Sequence, residues 1–67
     1  MTAISKDTVV YLKNPWSNAV STMTWGEVIA WAQNHIHPSN RRNWLAHARR
    51  AVRREDAEML GQMIIGS

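Results

Sequence analysis

The sequence predicts a small, mostly α-helical fold, with three short helices following an extended N-terminal arm that holds one short strand. Three features point to it. Thr24 and Glu27 form a capping-box pair that opens a stretch with apolar residues at helical spacing. A second such stretch follows His37-Pro38-Ser39-Asn40. Between Arg53 and Asp56 the apolar stripe then falls out of phase, which one straight helix cannot accommodate. The expected division is an arm or loop over residues 1–23 and a helical domain over residues 24–67.

Within the arm, Thr8-Val9-Val10-Tyr11-Leu12 is β-branched and aromatic enough for a strand. Asn14-Pro15 ends it, because proline lacks an amide hydrogen and restricts the residue before it. No second strand is recognisable, so the arm is expected to stay extended or to pair with a strand of another chain. The first helix is placed at residues 25–36. At about 100° per residue, Trp25, Val28, Ile29, Ala32 and Ile36 share one face, away from Gln33 and Asn34.

Pro38 disfavours helix at His37, and Ser39 or Asn40 offers a cap for the second helix. Trp44, Leu45, Ala48, Ala51 and Val52 make its apolar stripe, while Arg42, Arg49, Arg50 and Arg53 project from the opposite side. Arg41 falls in line with Leu45 and Val52 and is assigned to a frayed start. If this helix continued, Glu55 would lie on the apolar face and Leu60 and Ile64 on the arginine face. A break with Asp56 as N-cap restores the phase and lets Glu58 favour the first turn. The third helix then runs over about 56–65, buries Met59, Leu60, Met63 and Ile64, and stops at Gly66. A single kinked helix is the alternative.

With 67 residues and 45% apolar content, the chain makes one domain with a modest core. Domains this small usually need a staple, and the absence of cysteine removes disulfides and thiolate metal sites together. Self-association is the expected remedy. The apolar residues Met59, Met63, Ile64 and Ile65 make the third helix the expected seam of a homodimer. The sequence has no signal-peptide cleavage pattern and no apolar run near the ~20 residues that span a bilayer, so a cytoplasmic location is expected. A membrane-surface role for the basic helix is disfavoured, since Ala46 and His47 add little to insertion and the core needs the apolar stripe.

Charge placement carries the functional information. Six of the eight basic residues are arginines in one block: Arg41, Arg42, Arg49, Arg50, Arg53 and Arg54. No carboxylate occurs from Val28 to Arg54, after which Glu55, Asp56 and Glu58 follow closely. A solvated helix face usually mixes signs, because opposite charges four residues apart support the helix. Arg49/Arg53 and Arg50/Arg54 are instead like-charge pairs at that spacing, costing a few tenths of a kcal/mol each. All six are arginine, whose planar fork suits bidentate phosphate or carboxylate recognition. The block points to an anionic partner, unless Glu55, Asp56 and Glu58 neutralise part of it from within.

The first two helices resemble a helix-turn-helix arrangement in outline, the second being basic. However, the connection from Asn34 to Asn40 is longer than the usual three or four residues, and it carries proline where glycine is frequent. Trp25 and Trp44 lie on apolar stripes and read as core. Trp16 and Trp31 lie off them, and are either satellite core or exposed anchors of an interface. His35, His37 and His47 lack the i, i+3 or i, i+4 spacing of helical metal ligands, and His35 is explained by the helix dipole. No nucleophile elbow or glycine-rich phosphate loop accompanies the serines and threonines, so neither catalysis nor a cofactor is expected.

The function expected from sequence is that of a small nucleic-acid-binding regulator. Arg42, Arg49, Arg50, Arg53 and Arg54 contact phosphates, and Asn40 or Asn43 reaches a base edge. The second expectation is an inhibitor or adaptor, of the kind small phage-encoded proteins often are. It would engage an acidic protein surface through the same arginines and anchor through Trp16 or Trp31.

Overall fold

The computed structural model describes residues 4–66 and contains, in order, β1 (Val9–Lys13), β2 (Val20–Thr24), α1 (Trp25–His35), α2 (Pro38–Arg53) and α3 (Ala57–Ile64). The two strands form an antiparallel hairpin, in register from Val9↔Thr24 to Lys13↔Val20. The expected extended, unpaired arm is thereby corrected: the strand finds its partner eleven residues downstream, in Val20-Ser21-Thr22-Met23-Thr24. This segment gives little apolar signal for a physical reason. Its inward positions, opposite Val10 and Leu12, are Met23 and Ser21, so β2 contributes only one large side chain to the core side.

The hairpin loop is built by Asn14 rather than by a short glycine turn. Its Oδ1 accepts the N–H groups of Trp16 (2.8 Å) and Ser17 (3.2 Å), and its own N–H donates to the Ala19 carbonyl at 2.8 Å. Asn18 completes the loop at φ 60°, a left-handed conformation that asparagine tolerates.

A lone two-stranded hairpin is marginal in water, and α3 supplies what it lacks by packing against β1. Val10 and Leu12 join Trp25, Val28, Ala48, Ala51 and Leu60 in one core, around which Ile29, Trp44, Leu45, Val52 and Met63 pack. Gly61 sets the closeness of the α3–β1 contact. A Cβ there would collide with the Lys13 carbonyl oxygen, so only glycine fits.

The helix termini explain the remaining boundaries. In α1 the capping box forms as expected, with the Glu27 N–H donating to Thr24 Oγ1 and the Thr24 N–H to Glu27 Oε1, both at 3.2 Å. The next orphan amides are met from outside the helix: the Trp25 N–H donates to the Thr8 carbonyl and the Gly26 N–H to the Lys6 carbonyl. The α1–α2 connection is only Ile36 and His37, shorter than the expected stretch from Asn34 to Asn40. His37 is the N-cap, instead of Ser39 or Asn40, and its Nδ1 accepts the Ser39 N–H at 3.2 Å. Proline causes this, because its fixed φ suits the first helical position while it holds the preceding residue extended.

The break after α2 occurs where the phase conflict placed it. Glu55 adopts φ 55°, its N–H donates to the Val52 carbonyl, and the Asp56 N–H donates back to the Ala51 carbonyl. This is a Schellman ending with glutamate in the position glycine usually fills. Asp56 then caps α3, its Oδ1 accepting the Met59 N–H at 3.0 Å.

Candidate nucleic-acid interface

Helix α2 hides one side and charges the other. Ala48 and Ala51 are fully buried, and Trp44, Leu45 and Val52 are half-buried beside them. Arg42, Arg49, Arg50, Arg53 and Arg54 are all exposed. At about 100° per residue, Arg42, Arg49 and Arg53 lie within roughly 40° of one another and form a row about 16 Å long. Arg50 stands beside this row, and Asn43 lies further round the helix. Asn40, although exposed, sits roughly 150° from the row, so the fold does not gather it with these three arginines.

No internal carboxylate neutralises this face among the described residues, where the single ion pair joins Lys13 Nζ to Glu58 Oε1 at 3.1 Å. Asp56 is engaged in capping α3, and Glu55 is exposed in the left-handed turn. The guanidinium of Arg49 lies 5.9 Å from the centroid of the buried Trp25 ring, a cation–π contact that steadies the row at its middle.

Arg41 plays a separate part that the sequence reading missed when it assigned this residue to a frayed start. Its Nη2 donates to the Gln33 carbonyl (3.1 Å) and to the Ile36 carbonyl (3.4 Å), while its Nε is buried without a hydrogen-bond partner. Arg41 therefore closes the C-terminal end of α1, where carbonyls have no partner within the helix. Its alignment with the apolar stripe was the signal that it points inward.

The two tryptophans off the stripes have different surroundings. Trp31 is half-buried in a stack, 4.6 Å from the His35 ring and 5.3 Å from the Trp44 ring between centroids, which ties α1 to α2. Trp16 is 74% exposed on the hairpin loop. Met59 of α3 is exposed, not buried as expected, because it lies about 100° round the helix from the buried Leu60, whereas Met63, Ile64 and, just past the helix, Ile65 are half-buried against the core. Among the described residues no group of three or more His, Asp or Glu is placed to hold a metal ion, and no helix is long and apolar enough to cross a membrane. Neither a family model, nor a curated protein sequence, nor a solved structure matches the chain.

Proposed function

We propose that the protein is a non-enzymatic nucleic-acid-binding regulator that grips phosphates through α2. The observation carrying this reading is the exposed, one-signed row of Arg42, Arg49 and Arg53, with Arg50 beside it and no acidic partner among the described residues. Over about 16 Å, each strand of a duplex carries roughly five phosphates, enough to engage the whole row. Arg54 extends the cationic surface past the helix end, and Asn43, beside Arg50, is the better placed of the two asparagines to meet a base edge.

The test is a titration of labelled duplex DNA and duplex RNA, with Arg49→Ala, Arg53→Ala and Trp16→Ala measured beside the unaltered protein. Binding that weakens with both arginine changes and survives the tryptophan change fits this reading.

A second reading rests on Trp16. A tryptophan this exposed, on a loop fixed by four hydrogen bonds of Asn14, is a preorganised anchor for a protein partner with an acidic surface. It takes precedence if nuclease-treated extract yields a stoichiometric protein partner and Trp16→Ala abolishes that capture in a folded protein.

A further inference from the structure

Besides its arginines, the exposed arc of α2 carries a second set of polar side chains. Asn40, Asn43 and His47 are all exposed. At about 100° per residue they lie within roughly 60° of one another, in a strip about 10 Å long. The strip runs along the side of the arc away from Arg42, Arg49 and Arg53. Only the small Ser39 and Ala46 and the flexible Arg50 stand between strip and row, all of them exposed.

These three side chains are the ones to which the fold gives no task. From Thr24 onward the asparagines are Asn34, Asn40 and Asn43, and the histidines are His35, His37 and His47. Asn34, His35 and His37 serve the helices themselves. Asn34 Nδ2 donates to the Ala30 carbonyl at 3.1 Å, His35 Nδ1 donates to the Trp31 carbonyl at 3.0 Å, and His37 caps α2. The side chains of Asn40, Asn43 and His47 make no hydrogen bond, ion pair or ring contact among the described residues. Asparagine and histidine are also weaker helix formers than the residues that usually fill exposed positions, so local stability does not account for Asn43 and His47 in mid-helix.

We propose that this strip reads base edges in the major groove of B-form duplex DNA while the arginine row holds one backbone. The inference rests on phosphate binding by α2, and it names the partner and the residues that select the sequence. The occupant follows from charge and chemistry together: the row draws a polyanion to this helix, and the strip beside it offers hydrogen bonds without charge. An asparagine amide pairs its acceptor and donor with N6 and N7 of adenine, and an imidazole N–H can donate to N7 or O6 of guanine. The strip's length matches about three base-pair rises. Ser39 and Ala46 are small enough to let the helix sit close to the groove floor. The major groove of B-DNA, about 12 Å wide, admits a helix, whereas the minor groove is half as wide and offers a degenerate pattern. The deep, narrow major groove of duplex RNA cannot be read by side chains.

The experiment selects preferred sites from a random duplex DNA library, then compares the selected duplex with a scrambled one at fixed salt. The unaltered protein should enrich a site of three or four consecutive base pairs containing adenine, and bind it about 100-fold or more above the scrambled duplex. Asn40→Ala, Asn43→Ala and His47→Ala, each checked for folding by circular dichroism, should each lower that preference about tenfold. They should leave the scrambled duplex's affinity and the salt slope unchanged. Arg49→Ala should instead weaken both duplexes alike and make the slope shallower. Replacing the site's adenines with 7-deazaadenine, which lacks the N7 acceptor, should weaken binding of the unaltered protein several-fold. Salt-dependent binding with no enriched sequence, or with a site lacking adenine, overturns the inference and leaves phosphate binding standing. So does a preference that none of the three alanine changes or the deaza substitution lowers, or duplex RNA of the same sequence bound as tightly as DNA. No binding to any duplex at about 50 mM salt removes phosphate binding, and the base-reading strip with it.

Discussion

Glu55 and Gly61 hold positions whose backbone demands are opposite to what their residue types would suggest. Glu55 occupies a left-handed site that disfavours any residue with a Cβ. Glu55→Gly should therefore raise stability by about 1 kcal/mol, read as a higher urea midpoint at unchanged slope; a lower midpoint would mean that the glutamate side chain outweighs the strain. Gly61 sits in a regular helix, where alanine is normally better, yet Gly61→Ala should destabilise by about 2 kcal/mol or more because α3 must lift from Lys13. An unchanged midpoint would contradict that packing account. Arg41→Ala removes charge-assisted hydrogen bonds to the Gln33 and Ile36 carbonyls and should cost about 1–3 kcal/mol of stability. Its remaining affinity for duplex should keep the salt dependence of the unaltered protein, unlike a change at Arg49 or Arg53.

At the scale of elements, α1 and α2 meet through the His35–Trp31–Trp44 stack, so Trp31→Ala should loosen the helix pair and lower the midpoint by an amount equivalent to about 1–3 kcal/mol. A folded, equally stable Trp31→Ala protein would place the burden of that seam elsewhere. The helices were the legible part of this chain, since each announces itself locally: Thr24 and Glu27 open α1, the phase conflict at Glu55 separates α2 from α3, and Asp56 restarts the chain. The start of α2 was misplaced by two or three residues because Pro38 acts as a first helical residue rather than as a breaker. The second strand was hidden because Ser21 and the threonines of β2 bury little apolar surface, so its pairing is decided by contact with β1 and α1. The arginine block could be read from composition, but not its division into a row of Arg42, Arg49 and Arg53, a structural Arg41, and an Asn40 on another side of the helix. That division depends on which face of α2 the core claims.

The whole molecule separates its chemistry by surface, with positive charge on α2 and exposed apolar side chains mainly on the hairpin. Phosphate binding by α2 remains the central claim, and its most direct measurement is the slope of log affinity against log salt for a labelled duplex. With Arg42, Arg49, Arg50 and Arg53 each on a phosphate, the slope should be about −3 to −4 per chain, and Arg49→Ala or Arg53→Ala should each make it shallower by about one. No binding at about 50 mM salt, or a slope that neither substitution changes, would contradict the account.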